Sequence, residues 1–400
     1  MTTDPYFRKV CLYLLFILGA CLFRTPLAAQ NSTRLQADKR FIKHIISPDF
    51  ISEGVAVADV NRDGKTDILA GACWFEAPAW NKHEITTVRV YNPATEFSNS
   101  FLNFNMDVNS DGWMDEIRIS LPGEEAVWYE NPGKNAGHWK MHTIISNAGN
   151  ESPAFVDVDG DGRADILCND PVAKEMIWLK SPSAIGDTAW RRYLIAKADT
   201  GTNRYTHGLG FADMNADGRK DVIINNGWWE CPVDPRQANW LFHAAAISED
   251  CSQIYALDAN TDGKIDLLSA SAHNYGIWWH ERTGDDNGKS VWTHHLIFNK
   301  FSQSHGMAMA DINMDGHPDL VTGKRYFAHN GKDPGALEPA VLYWFEYKPG
   351  KTPVWIPHLV DENSGVGLQV LVQDINHDKL PDIIVANKKG IFFFEQVKQT

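Results

Sequence analysis

Short apolar runs recur along the chain, each closed by a polar turn, and they fall into four kinds. The first is small and apolar, as in Gly54-Val-Ala-Val-Ala58 and Gly208-Leu-Gly-Phe-Ala212. The second is aliphatic and opens on aspartate: Asp67-Ile-Leu-Ala70, Asp165-Ile-Leu167, Asp221-Val-Ile-Ile224 and Asp382-Ile-Ile-Val385. The third is aromatic: Trp74-Phe-Glu76, Trp128-Tyr-Glu130, Trp178-Leu179, Trp228-Trp-Glu230, Trp278-Trp279, Trp344-Phe-Glu346 and Phe392-Phe-Phe-Glu395. The fourth follows Trp-x-x-His, at Trp80/His83, Trp139/His142, Trp240/His243, Trp292/His295 and Trp355/His358, with Trp190/Tyr193 as a variant. Segments this short, rich in β-branched and aromatic residues and punctuated by turns, predict β-strands, four to a repeat.

Between the first and second kinds lies Asp-x-Asn/Asp-x-Asp-Gly-x-x-Asp, seven times over, with starts 45 to 63 residues apart. The oxygen-bearing positions are Asp59, Asn61, Asp63 and Asp67; Asp107, Asn109, Asp111 and Asp115; Asp157, Asp159, Asp161 and Asp165; and Asp213, Asn215, Asp217 and Asp221. They continue with Asp258, Asn260, Asp262 and Asp266; Asp311, Asn313, Asp315 and Asp319; and Asp374, Asn376, Asp378 and Asp382. Calcium takes six to eight hard oxygen ligands, and glycine at position 6 permits the turn that wraps a loop around it. The seventh copy has Lys379 at that position, which leaves its ion open. An EF-hand is excluded, because no glutamate stands at position 12 and no flanking helix is predicted.

A repeat of roughly 50 residues signals an array or a propeller rather than separate domains. The seventh repeat ends at Phe392–Glu395 without a fourth strand, and Phe41-Ile-Lys-His44-Ile-Ile46 supplies one from the other end of the chain. The expected fold is all-β: a seven-bladed β-propeller over residues 40–400, with a calcium loop between the first two strands of each blade, closed by the N-terminal strand. These loops and strands resemble the bacterial FG-GAP/VCBS-repeat family and the propellers of integrin α-subunits, which implies the same blade-by-blade calcium loops.

Residues 1–29 read as a cleaved export signal: Arg8 and Lys9 precede the apolar run 10–23, and Pro26-Leu-Ala-Ala29 offers a cleavage site. Leu18-Gly-Ala-Cys21 also resembles a lipoprotein box, so a lipid anchor is the alternative to a secreted or periplasmic chain. Residues 30–39 read as a linker, and no later stretch is apolar enough to span a membrane. Losing Asp4, Arg8, Lys9 and Arg24 with the signal takes the formal charge from −14 to −16. Seven divalent ions would nearly cancel that, so the acidity reflects the loops and argues against a nucleic-acid partner. Cys73 and Cys168 are expected as buried thiols, Cys231 and Cys251 are near enough in sequence to pair, and no CxxC pair suggests zinc.

Counting back six residues from each loop start gives Glu53, Phe101, Glu151, His207, Ser252, His305 and Leu368, which open the innermost strands. Six strand residues span about 20 Å, so this end of the channel is remote from the calcium loops, whose role is then structural. His207 and His305 are unlike the five other positions and are expected to hold a second divalent metal such as zinc, unless they only bridge blades. The Trp-x-x-His histidines recur in blade after blade and are read as structural. Loops after the second strands bring His273, Lys324, Arg325 and His329 to the same face, the longest running from Lys324 to Pro339.

Two functions follow as expectations. The blades resemble, less specifically, the propellers of aldos-2-ulose dehydratase, which implies an enzyme acting on carbohydrate as a metal-assisted lyase or dehydratase. His273 or His329 would be the base and Arg325 the partner of the developing enolate. The other expectation is a non-catalytic propeller that binds a glycan or protein on that face. In either case a carbohydrate or other small molecule is the expected ligand and the chain is expected to act as a monomer.

Overall fold

The computed structural model describes residue 38 and residues 40–198, 200–286 and 289–398. The expected export signal and the linker up to residue 37 lie outside the described residues. Strands dominate, and the one helical element among the described residues is a 3-10 turn at Ala328–Gly331.

Five antiparallel sheets have four strands and a sixth has seven. In the larger sheet the 17-residue strand Lys140–Val156 serves two neighbours. Its first half pairs with Glu124–Glu130, from Glu130 opposite Lys140 to Glu124 opposite Ala148. Its second half pairs with Asp165–Asp170, from Asn169 opposite Gly149 to Asp165 opposite Val156. One strand is thus the outermost of one unit and the innermost of the next. Counted in both, it leaves every Asp-rich loop between the first two strands of a four-stranded unit.

The last sheet runs Phe41–Ser47, Gly390–Gln396, Asp382–Asn387, Val370–Gln373, so the first described strand covers the edge of the final one. His44 lies opposite Phe393 in that pairing. Its imidazole stacks on Phe393 at 5.1 Å and its Nε2 is 2.7 Å from Glu395. The Trp-x-x-His histidines do the same elsewhere: His83 on Trp74, His142 on Trp128, His243 on Trp228 and His358 on Trp344, with centroids 4.0 to 4.2 Å apart. Each also meets the glutamate two residues beyond its tryptophan, Glu76, Glu130, Glu230 and Glu346, at 2.8 to 3.0 Å. Stacking plus a charge-assisted contact pins each outer strand to the third.

Hydrophobic clusters fill the spaces between adjacent sheets. Ile68 and Phe75 pack with Ile384 and Phe393 across the first and last units, which buries the closure of the ring. Trp128, Trp178, Trp229 and Trp344 are fully buried in the other interfaces. Backbone bonds join the innermost strands around the channel: Glu53 N donates to Ser100 O (2.8 Å), Glu151 N to Thr206 O (2.9 Å) and Leu368 N to Glu53 O (3.0 Å). The strand starts counted from the sequence are therefore brought to one end of the channel.

Candidate metal centre

Glu151 lies within the strand Lys140–Val156, His207 and His305 just precede the innermost strands Gly210–Ala212 and Met307–Ala310, and His329 comes from the 3-10 turn of the long sixth-unit loop. One ligand atom from each of the four lies within 4.8 Å of all the others. His207 Nε2 is 3.3 Å and His305 Nε2 is 3.9 Å from Glu151 Oε2. The opposite ring nitrogens are tied down: His207 Nδ1 to Tyr205 O (3.0 Å), His305 Nδ1 to Gln303 O (3.2 Å) and His329 Nδ1 to Asp333 Oδ2 (2.5 Å). Such anchoring fixes the tautomer and aims Nε2 at a ligand, as around bound metals. His207 Nε2, His305 Nε2 and Glu151 Oε2 are buried, and beyond their mutual contacts and Arg325 Nη1 at 3.6 Å from the carboxylate no further group meets them. Three such atoms facing one another would cost about 1–3 kcal/mol each if nothing met them. A mixed imidazole and carboxylate set fits zinc or a similar borderline cation.

Glycine follows both inner histidines. Gly208 has φ +83°, and a Cβ there would stand 2.7 Å from Cys251 Sγ; a Cβ on Gly306 would stand 3.0 Å from Gly367 O. The strand starts can approach this closely only without side chains at those positions.

A cavity of about 410 Å³ opens over the cluster, lined by Glu151, His207, His273, Arg325 and His329, with Phe97, Phe101 and Tyr205 as an aromatic wall. Burial opposes ionisation of Glu151, yet the charges of His207 and Arg325 bring its carboxyl down to about 2. Burial likewise opposes the His207 imidazolium, but Glu151 outweighs it and the pKa is raised. His305 is pushed well below the usual imidazole range by burial and by Arg325, and His329 is lowered, chiefly by burial. Glu151 is thus held as a carboxylate and His305 and His329 are disposed to stay neutral, whereas Glu151 favours a proton on His207 that a bound cation would displace.

Arg325 lines the cavity but is 1% exposed and committed: its Nε and Nη2 donate to Glu53 Oε1 at 3.1 and 2.5 Å. Its Nη1 is 3.6 Å from Glu151 Oε2. Glu53 is accordingly an arginine partner and not a member of the imidazole cluster. Lys324, which the sequence brings to the same face, is fully buried, with Nζ donating to Ser302 Oγ (3.2 Å) and to the Gly335 carbonyl. It clamps the loop that carries His329, because burial without a carboxylate partner leaves it only neutral acceptors. Cys231 and Cys251 do not pair; both are buried free thiols, as are Cys73 and Cys168. Ser252 and Leu368 contribute no side chain to the cluster. Sequence reasoning passed over Asp250 and Asp333, which lie near His207, His273 and His329. A carboxylate four residues after His329 was the available signal.

At the other end, the seven loops share one backbone. Residue 4 is left-handed in each (Arg62, Ser110, Gly160, Ala216, Thr261, Met314, His377), and so is residue 6. Lys379 takes that conformation at φ 74° and its N–H still reaches Asp374 Oδ2 at 2.8 Å, as Gly64 N reaches Asp59 Oδ2 at 2.9 Å. The position-9 aspartates are fully buried. Burial first, then the neighbouring loop carboxylates, raise their pKa values to about 6 in Asp67, Asp165, Asp221, Asp319 and Asp382, and to about 7 in Asp115. Crowded oxygens in a region that resists negative charge suit a hard divalent cation such as calcium.

The third loop differs. In five of the other six loops the position-3 asparagine donates to the third-strand glutamate, as Asn61 Nδ2 does to Glu76 Oε1 (3.1 Å) and Asn260 Nδ2 to Glu281 Oε1 (3.0 Å). Here Asp159 faces Lys180, whose Nζ is 2.5 Å from both Asp159 Oδ2 and Asp161 Oδ2, and Tyr193 replaces the stacked histidine on Trp178.

The FG-GAP-like repeat family model matches residues 107–168 and 258–322. Human (Homo sapiens) integrin alpha-7 is 35% identical over 82 residues, which is 20% of this chain and 7% of that protein, so only a small part of the relative is spanned. Among solved structures, BBS1N from its complex with ARL6DN superposes with a TM-score of 0.52 at 8% identity, covering 90% of this chain and 98% of that one. An Agrocybe aegerita lectin that recognises non-reducing terminal N-acetylglucosamine gives 0.46 at 13% identity, covering 82% and 81%. No helix among the described residues is long and apolar enough to cross a membrane. Residues 107–168 and 258–322 of this chain match FG-GAP-like repeats, and its fold is an all-β propeller.

Proposed function

We propose that the protein is an exported propeller, stabilised by calcium in its Asp-rich loops, that acts on carbohydrate as a metal-assisted carbon–oxygen lyase of the dehydratase or polysaccharide-lyase type. The observation that carries this is the convergence of buried ligand atoms from Glu151, His207 and His305, with His329 alongside and a cavity above them. Glu151, His207, His305 and His329 would hold a divalent cation, which when bound would polarise a sugar carbonyl or carboxylate and acidify the neighbouring C–H. His273, whose side chain is 38% exposed, stands at the cavity edge where a base must reach that proton. Asp333 Oδ2, 3.5 Å from His273 Nδ1, would orient it and stabilise it once protonated. Arg325 Nη1, fixed by the Glu53 bond, would offer the developing enolate an N–H donor. Phe97, Phe101 and Tyr205 would exclude water and pack a sugar face.

The test is to incubate the zinc-loaded chain with oxidised sugars and acidic glycans and follow the absorbance of a new conjugated double bond. H273A is expected to lower the rate at least about 100-fold with the inner zinc retained, and the H207A/H305A double variant to lose the inner zinc and activity. Product formation undiminished in the double variant would refute the reading. The aromatic wall favours one alternative, a non-catalytic propeller that captures a glycan or protein at the same cavity; bound but unaltered glycan would identify it.

A further inference from the structure

We propose that the cavity contains a second divalent-cation site, outside the first and built on His273 and Asp333 beside His329, with Asp250 close to His273; this rests on the metal-centre reading above, and His273 acts as the base only while the second site is empty. Two sets of ligand atoms besides the inner one lie within 4.8 Å of each other: His207, Asp250 and His273, and His273, His329 and Asp333. His273 belongs to both and is absent from the inner set, whereas Glu151 and His305 belong to the inner set alone. The His273 ring lies 4.6 Å from that of His207 and 4.6 Å from that of His329, so it bridges the two outer sets. Asp333 Oδ2 faces two imidazole nitrogens at once, His329 Nδ1 at 2.5 Å and His273 Nδ1 at 3.5 Å. A carboxylate that only oriented His329 would have no need of the second ring.

Charge supports the same assignment. The Arg325 guanidinium is neutralised by Glu53, so an inner divalent ion would meet one further carboxylate, Glu151. Asp250 and Asp333 add two negative charges, and neither forms an ion pair with lysine or arginine among the described residues. A second divalent ion offsets them and leaves the cavity net positive, ready for an anionic oxygen. The nitrogen and oxygen donors select a borderline cation such as zinc or manganese over calcium. Exposure separates the two sites: the His305 and His207 side chains are 1% and 4% exposed, against 38% for His273. The outer ion should therefore exchange faster than the inner one. Two ions side by side can grip two oxygens of one substrate, which a single ion cannot.

Zinc is added to the calcium-saturated full-length chain, excess is removed, and bound zinc and its release to a chelator are measured. The expected result is two zinc ions per chain released in two phases. H273A and the milder D333N should lose the fast phase and keep one ion, while H305A should lose the slow phase. Circular dichroism checks that each variant is folded, and D250N gives a further variant at an exposed position. One ion in a single phase, unchanged in H273A and D333N, would overturn the second site and leave the metal centre standing. No bound zinc in the unaltered chain would overturn both.

Discussion

Glu53 and Arg325 are 272 residues apart in sequence and both essentially inaccessible to water. Removing one partner from such a pair strands a buried charge at about 3–5 kcal/mol. R325M is expected to lose stability on that scale in denaturant unfolding, with much of it recovered when E53Q is added. A loss no larger in R325M than in the double variant would mean that the pair is not coupled. His280 supplies the pH dependence. Burial lowers its pKa from 6.5 to about 3, with Ser269 Oγ 2.7 Å from its Nε2 and His294 Nδ1 2.8 Å from its Nδ1. Because the folded value lies below the unfolded one, its contribution is complete above about pH 6.5 and is lost as pH falls toward 3. The slope is up to about 1.4 kcal/mol per pH unit in that window, so H280Q should flatten the acid limb of the stability profile. His207 and His305 were legible because they break a sevenfold pattern. Asp250, Asp333 and the Glu53–Arg325 pair were not, since single loop carboxylates carry no periodic signal and pairing across the ring has no sequence spacing.

Within one blade, the loop, the third strand and the outer strand form a single hydrogen-bonded chain from Asn61 through Glu76 to His83. The Trp-x-x-His and Trp-aromatic-Glu motifs were visible separately, yet only the fold shows that they clamp each other and reach the ion loop. The third blade changes all three members together, to Asp159, Lys180 and Tyr193. Lys180 brings its own positive charge to the loop, so elemental analysis should find about six calcium ions per chain, and K180M should restore a seventh. A count of seven in the unaltered chain would show that the ammonium gives way. The closing strand was legible because the last repeat lacked a partner for Phe392–Glu395. The double use of Lys140–Val156 was not, because two strands run together without a turn residue to divide them.

Across the whole molecule, the loops and the cavity occupy opposite ends of the strands, which separates folding from chemistry. Each loop filled at a hundredfold excess of calcium over its Kd adds about 2.7 kcal/mol. Chelation should therefore lower the thermal midpoint by more than roughly 10 °C, and a midpoint indifferent to chelator would exclude calcium from the loops. The proposed chemistry rests on Glu151, His207, His305 and His329 being able to grip a metal, since their ligand atoms lie together. Crystals grown with zinc and excess calcium, with diffraction data collected at the zinc absorption edge, address that directly. An anomalous peak is expected among those four side chains, about 2.0–2.2 Å from the ligating atoms. Well-ordered imidazoles with no peak between them would contradict it.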